Sequence, residues 1–438
     1  MTKQQRERGL NELYAEDPQA ADLIVFGRRA HADRRGFLKG AGLAAMGSLI
    51  GATIPFHRSM PSGLIPAAFA QMDEGALVAE KDGLVILNDR PINMETPAHL
   101  LDDDITPASR HFVRNNGLLP EMALSGDASG WTLTVDGEVD TPLELTLEEL
   151  QARFETVSLQ LVVECAGNGR AYFNPGASGN QWTTGAVACS EWMGVRLKDV
   201  LEAAGVRPAA VYTGHYGMDT HLSGDPEKDP ISRGVPIAKA MEPHNLIAFR
   251  MNNEPIPALH GFPCRLVVPG WPGSCSQKWL RRIQVRDVVH DGAKMTGDSY
   301  RVPAYPVAPG TEVPDTDMRI IESMPVKSLI TAPETGAEVG VGAVEVRGHA
   351  WSGDTPVVAM EVSIDFGQTW TSADLAEEPN RYAWRRWTTT VNLLVGGYYE
   401  VWAKAIDENG IAQPPTTPGW NPKGYVNNMI HRIALFAT

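Results

Sequence analysis

A single cysteine follows an apolar run in the segment Glu164-Cys165-Ala166-Gly167-Asn168-Gly169-Arg170. The small residues allow a tight turn, which would bring the Cys165 thiol and the Arg170 guanidinium to one pocket. A thiolate binds soft metals or acts as a nucleophile, and a guanidinium pairs with an oxoanion through two hydrogen bonds. A lone cysteine after an apolar strand is more often a buried core residue. Taken alone, the segment leaves both interpretations of Cys165 open.

Three further cysteines widen the choice: Cys189, Cys264 and Cys275. Four cysteines in an oxidising compartment first suggest two disulfides. None belongs to a Cys-x-x-Cys or Cys-x-x-Cys-His sequence, so we expect neither a zinc knuckle nor a covalent c-type haem on this chain. If Cys165 binds a metal, at least one of the others must be a free thiol. No glycine-rich phosphate motif supports a nucleotide cofactor.

Strand and helix signals surround Cys165. The apolar run 159–163 predicts a buried strand that ends at this cysteine. Alternation over 131–139, with the turn pair Asp136-Gly137, predicts a half-buried strand and a hairpin. Thr146-Leu147-Glu148-Glu149 is a capping box that starts a helix. The segment 195–204 before Gly205 predicts another short helix. The first large unit is therefore mixed α+β.

A different pattern follows the segment 303–314, which is rich in proline and small residues and predicts a domain boundary. The segments 344–351, 360–365 and 398–407 alternate apolar and polar residues with turn signals between them. This is typical of a β-sandwich.

The N-terminus has the order of a twin-arginine export signal. Arg34-Arg35-Gly36-Phe37-Leu38-Lys39 precedes an apolar stretch over 40–54 and the small-x-small site Ala68-Phe69-Ala70. We expect residues 1–70 to be the signal, Gln71 to start the mature protein, and the location to be periplasmic. This route carries folded proteins, which favours a complex cofactor. The apolar stretch is too short to span a bilayer, and no later segment is long enough.

Bulk composition excludes several classes of protein. The chain has 438 residues, 43% of them hydrophobic and 21% charged, as in soluble globular proteins of two or three domains. Its net charge of -15 argues against a nucleic-acid or anionic-membrane partner.

The ordered set of short segments resembles the sulfite oxidase family of molybdenum enzymes. The segments are Phe112-Val113-Arg114-Asn115-Asn116, Cys165 to Arg170, Gly217-Met218-Asp219, Gly234-Val235-Pro236, Met251-Asn252-Asn253-Glu254-Pro255, His260-Gly261-Phe262-Pro263-Cys264-Arg265, Val268-Pro269-Gly270 and Lys278-Trp279-Leu280. Gly419 to Tyr425 with Asn427-Asn428 resembles the family's dimerisation domain. The resemblance implies a molybdopterin-binding domain over 71–314, an immunoglobulin-like β-sandwich over 315–438, and a homodimer formed through the sandwich.

The same resemblance implies roles for individual residues. Cys165 would coordinate the molybdenum of a molybdopterin cofactor, and Arg114, Arg170 and Tyr300 would line the substrate pocket. The residues implied to contact the pterin or its phosphate are Phe112, Arg114, Asn115, Asn116, Asp219, His260, Arg265, Ser276 and Lys278. Asn116 departs from the histidine usual in the family. A solvated Lys278 and a core His260 are the alternatives for those residues individually.

Details such as His111, Asn116 and the segment around Arg233 resemble the catalytic subunits of sulfane dehydrogenases in Sox thiosulfate oxidation. This implies oxidation of sulfane sulfur on a cysteine of a carrier protein, with a dihaem c-type cytochrome as electron acceptor. A periplasmic sulfite dehydrogenase and a methionine sulfoxide reductase of the same superfamily are alternatives. From another class, a cofactor-free binding module stays open.

Overall fold

The computed structural model describes residues 75–438. The predicted signal and the mature start at Gln71 lie outside this range. Within it, no helix combines the length and the apolar character needed to cross a membrane.

Thirteen strands build the sheets of the first part of the described chain. In chain order they are β1 (Val85–Asp89), β2 (Ile92–Glu95), β3 (Val113–Arg114), β4 (Thr132–Gly137), β5 (Leu143–Thr146), β6 (Thr156–Glu164), β7 (Val187–Arg196), β8 (Tyr212–Gly217), β9 (Gly234–Pro236), β10 (Leu246–Met251), β11 (Glu254–Pro255), β12 (Arg265–Val267) and β13 (Leu280–Arg286). Strands β1 to β3 form one sheet, and a second has the order β11-β10-β7-β6, with β12 also paired to β10. The third has the order β5-β4-β13-β8-β9, in which β4 and β13 run parallel.

Short α-helices accompany these sheets, among them α1 (Glu121–Ser125), α2 (Leu147–Arg153), α3 (Leu197–Ala204) and α4 (Ile237–Ala240). The capping box is present, because Thr146 Oγ1 accepts from the Glu149 amide and the Glu149 carboxylate accepts from the Thr146 amide. Helix α3 begins two residues later than predicted, since Val195 and Arg196 complete strand β7. It ends at Gly205, which takes the left-handed conformation at φ 72°.

The predicted strand before Cys165 is confirmed as β6, which pairs with β7 along its whole length. Its register places Glu164 opposite Val187 at the end of the ladder. Leu161 and Val163 are buried in an apolar cluster that also contains Cys165. The cysteine is therefore held where a rigid sheet ends and a turn begins.

The later part of the chain is made of strands. Strands β14 (Arg301–Pro303) and β15 (Met318–Ile320) pair with each other. The others are β16 (Lys327–Ala332), β17 (Ala337–Val339), β18 (Gly342–Trp351), β19 (Val357–Ser363), β20 (Thr371–Ser372), β21 (Asp374–Leu375), β22 (Arg385–Leu393), β23 (Gly397–Asp407) and β24 (His431–Ala437). They form sheets of order β16-β18-β22-β21 and β17-β24-β23-β19-β20, whose facing residues share one core. The expected α+β unit followed by a β-sandwich is confirmed. The exact boundary at 314 stays a prediction.

Candidate active site

The turn after β6 fixes Cys165 at the edge of a cavity. The Cys165 amide donates to the Ala186 carbonyl at 2.9 Å, and the Cys165 carbonyl accepts from the Asn168 amide at 2.9 Å. Gly169 takes φ 89°, a conformation that side chains disfavour. Cys165 is only 6% exposed, but it borders the cavity. All four cysteines of the chain are free and buried, so the two-disulfide alternative does not hold.

The cavity has a volume of about 640 Å³ including its open mouth. Most of the residues predicted for the site border it: Phe112, Arg114, Asn116, Cys165, Asp219, His260, Arg265, Ser276, Lys278 and Tyr300. These residues come from positions 112 to 300, so the fold brings together segments that are far apart in sequence. Their roles as ligands stay predictions.

Two predicted residues lie beside the cavity rather than on its wall. Asn115 is fully buried, and its side-chain oxygen accepts from the Lys278 ammonium. The Arg170 guanidinium donates from Nε to the Lys423 carbonyl at 2.6 Å and from Nη1 to the Asn180 carbonyl at 2.8 Å. Arg170 therefore anchors the turn, and a contact with substrate is not seen in its geometry.

The basic side chains of Arg265 and Lys278 border the cavity, and those of Lys81 and Lys294 contact residues that line it. Burial lowers the pKa of Lys278 well below its ordinary value, and it lowers the pKa of Arg265 to about 9. Lys294 and Lys81 are affected in the same way, with pKa values lowered by burial to about 8 and about 7. Among residues 75–438, none of these four forms an ion pair with a carboxylate. Cations buried without a carboxylate partner favour binding of an anion.

Two histidines complete this wall. Burial lowers the pKa of both His111 and His260 well below the ordinary value, so both rings are neutral at pH 7. Their ring centroids are 4.8 Å apart, and Nε2 of His260 lies 2.5 Å from Nζ of Lys81. His111 also stacks on Phe112, with centroids 5.3 Å apart. A neutral ring can accept or donate a hydrogen bond without adding charge.

Several polar atoms on the cavity wall or directly beside it are buried and have no hydrogen-bond partner in the described part of the chain. They are Asn115 Nδ2, Asp219 Oδ1, Ser274 Oγ and Gln277 Oε1. Burial also raises the pKa of Asp219 to about 6, although Lys278 opposes the shift. Buried donors and acceptors are normally paired, so this group calls for a polar ligand.

These features fit a molybdopterin. Arg265 and Lys278 would pair with its phosphate, and the unpaired amide and carboxyl groups match the donors and acceptors of a pterin ring. The Cys165 thiol would be the soft ligand at the cavity wall.

Sequence reasoning missed Lys81, Lys294 and Gln277. Lys81 stands between two acidic residues, Glu80 and Asp82, and so has the pattern of a solvated surface segment. It contacts His260 of the cavity wall only because the fold packs the start of the described chain against this residue, 179 positions away in sequence. No local signal could have identified it.

Comparison with known proteins agrees with this arrangement. Residues 120–294 match the oxidoreductase molybdopterin-binding domain, and residues 318–437 match the Mo-co oxidoreductase dimerisation domain. Sulfite oxidase of Gallus gallus is 34% identical over 364 residues, which cover 80% of this chain and 77% of that protein. Mitochondrial sulfite oxidase of Homo sapiens is 33% identical over 371 residues, covering 81% of this chain and 66% of that protein.

Among solved structures, the sulfane dehydrogenase SoxCD from Paracoccus pantotrophus aligns with a TM-score of 0.67 and 28% identity. The alignment covers 87% of this chain and 94% of that chain. Both domains of the described structure therefore have relatives of one kind, and the chain belongs to the sulfite oxidase family of molybdenum-cofactor oxidoreductases.

Proposed function

We propose that the protein oxidises sulfane sulfur carried on a cysteine of a carrier protein and passes the electrons to a dihaem c-type cytochrome in the periplasm. The observation that carries the proposal is the cavity itself, in which Cys165 lies beside buried cations and unpaired polar groups. The similarity to a sulfane dehydrogenase over 94% of that chain supports the substrate class.

The proposed cofactor supplies two-electron oxidation of sulfur with oxygen from water. The chain's own residues bind the cofactor and orient the substrate. Cys165 holds the metal, while Arg265 and Lys278 neutralise the phosphate. Arg114 and Tyr300 border the same cavity and can contact the sulfur group, which gains one hydrogen-bond acceptor with each added oxygen.

The position of Arg170 favours carrier-bound sulfane sulfur over free sulfite, a dianion, as the substrate. Two guanidinium nitrogens of Arg170 donate to backbone carbonyls. Of the two arginines predicted to line the substrate pocket, Arg114 borders the cavity and Arg170 does not. A sulfane sulfur attached to a peptide arm carries less charge than sulfite and needs fewer cationic contacts.

Sulfite oxidation is the second candidate, favoured by the 34% identity to the sulfite oxidase of Gallus gallus. A pocket for free sulfite would place its whole binding energy on the oxoanion, whereas a carrier contributes contacts outside the cavity. The two substrates therefore differ in where the protein must hold them.

The deciding experiment is a turnover assay of the purified, molybdenum-loaded protein with its cytochrome. Free sulfite is compared with a carrier bearing a sulfane sulfur, and a carrier with its cysteine blocked is the control. We expect a higher kcat/KM for the sulfane-loaded carrier and none for the blocked carrier. If the protein oxidises free sulfite efficiently and does not oxidise the loaded carrier, the proposal is wrong and the protein is a sulfite dehydrogenase.

A further inference from the structure

The residue before Cys165 is a buried carboxylate held by the β-sandwich. Glu164 is 3% exposed, and its Oε1 accepts from Lys327 Nζ at 2.6 Å. Its other oxygen, Oε2, accepts from Trp351 Nε1 at 2.9 Å. Lys327 and Trp351 face each other as a cross-strand pair on β16 and β18. One pair of sandwich residues thus donates a hydrogen bond to each carboxylate oxygen of Glu164.

Glu164 passes this restraint to the cysteine turn through Asn168. The Asn168 amide group donates to Glu164 Oε1 at 2.9 Å, and its side-chain oxygen accepts from the Ala186 amide at 3.1 Å. The backbone amide of Asn168 donates to the Cys165 carbonyl. The carboxylate therefore fixes both ends of the turn that presents the thiol.

The sandwich also binds the backbone of this turn. The Val426 amide donates to the Ala166 carbonyl at 2.8 Å, and the Asn427 side chain donates to the Gly169 carbonyl at 2.7 Å. A turn made of small residues has little packing of its own, so these contacts supply its rigidity.

Stability alone does not explain a buried ion pair at this position. Removing two charges from water costs as much as their attraction returns, and apolar pairs of similar size are often equally stable. The Glu164 to Lys327 pair is buried on both sides, with side chains 3% and 6% exposed. Because the ion pair lies next to the predicted metal ligand, we infer that it fixes the position of the Cys165 thiol.

We propose that Glu164, Lys327 and Trp351 are positioning residues for Cys165, so that the domain matched as a dimerisation domain is also part of the active-site machinery. The inference rests on the proposed function only in assuming that Cys165 holds the metal. The three residues act through the turn and do not touch substrate.

The test compares Lys327→Met with Lys404→Met in the molybdenum-loaded protein. Lys404 also lies in the sandwich and forms an ion pair with Glu361 at 2.7 Å, but it does not contact the turn. The measurements are kcat, KM, molybdenum content, unfolding temperature and the electron paramagnetic resonance spectrum of the one-electron-reduced metal. This spectrum reports the geometry of the metal-bound sulfur.

We expect Lys327→Met to lower kcat about ten- to a hundredfold, as misplaced groups do, with a smaller change in KM and a shifted spectrum. Lys404→Met should leave all of these unchanged. If Lys327→Met does not fold, Glu164→Gln with Lys327→Met removes both charges and should show the same shift. A variant that folds with an unchanged spectrum and kcat overturns the inference. Wild-type protein without molybdenum would instead overturn the proposed function.

Discussion

The guanidinium of Arg233 lies over the ring of Tyr300, with its Cζ atom 4.9 Å from the ring centroid. Tyr300 borders the cavity and stacks on Tyr425 of the C-terminal segment, with centroids 5.4 Å apart and planes 14° from parallel. Arg233 is fully buried, and its Nε and Nη2 have no partner within residues 75–438. Unpaired buried donors reduce stability. Its Nη1 donates to the Lys294 carbonyl at 2.9 Å, so Arg233 both binds this carbonyl and covers the Tyr300 ring.

We expect Arg233→Met to lower turnover about tenfold by loosening the Tyr300 ring. The unfolding temperature should change little, because the variant removes two buried unpaired donors but also the hydrogen bond from Nη1 to the Lys294 carbonyl. Steady-state kinetics and calorimetry test this together. Arg432→Met is the control, since Arg432 lies over Trp402 in the sandwich with Cζ 3.9 Å from its ring. A large loss of stability with normal turnover in Arg233→Met would mean that Arg233 is purely structural.

Replacing Cys165 with serine tests the metal ligand. A hydroxyl binds a soft metal more weakly than a thiolate does, so turnover should fall drastically while the fold survives. Wild-type protein should contain about one molybdenum per chain by metal analysis. Cys189→Ala is the matched control, because Cys189 is fully buried in β7 and does not border the cavity. Normal turnover of Cys165→Ser would refute the ligand assignment.

Local signals in the sequence were sufficient for much of the fold. The capping box at Thr146 and the apolar run before Cys165 each depend on neighbours within a few residues, and both are found where predicted. The start of α3 was wrong by two residues because pairing of β7 with β10 extends through Arg196, and a helix pattern does not show that pairing.

The site was less accessible to such reasoning. Its implied residues came from a resemblance of ordered motifs, since His260 or Lys278 alone has a simpler interpretation as a core or surface residue. Contacts such as Glu164 with Lys327, 163 residues apart, depend on how two domains pack. For Arg170, the motif from Cys165 to Arg170 predicted a contact with substrate, but it could not show that the guanidinium donates to two backbone carbonyls.

Export by the twin-arginine route can be tested by replacing both arginines of the motif. Arg34→Lys with Arg35→Lys should trap precursor in the cytoplasm, since the pathway reads the arginine pair. Cell fractionation and N-terminal sequencing give the result, with Gln71 expected as the first residue of exported wild-type protein. Periplasmic protein at normal yield in the double variant contradicts the route.

The C-terminal domain should hold a homodimer together. It exposes a group of apolar side chains at one end of the sandwich, with Leu394 75%, Val395 65% and Tyr398 54% exposed. Such a group on a domain matched as a dimerisation domain favours contact with a second copy. Leu394→Asp should weaken the dimer in analytical ultracentrifugation. Val289→Asp, at a 53% exposed position outside residues 318–437, should not. Wild-type protein that is monomeric at all concentrations would contradict the prediction.

Protonation of a histidine in the sandwich should lower the free energy of unfolding in acid. His349 is fully buried and stacks on Trp384, with ring centroids 4.1 Å apart. Burial, together with the nearby charge of Arg386, lowers its pKa from 6.5 to about 4. Because the folded state disfavours the protonated ring, its contribution is complete above pH 6.5. This stabilisation is lost progressively as the pH falls from 6.5 to about 4, the folded-state pKa.

The size of this effect follows from the shift, which corresponds to about 3 kcal/mol at most. His349→Phe keeps a ring against Trp384 and removes the titrating group. Between pH 6.5 and 4 it should therefore lose less unfolding free energy than the wild type. Denaturant unfolding at several pH values, followed by tryptophan fluorescence, measures the difference. His99→Asn is the control, because the His99 side chain is 36% exposed and does not stack on Trp384. Parallel curves for the wild type and His349→Phe would show that His349 does not cause the acid sensitivity.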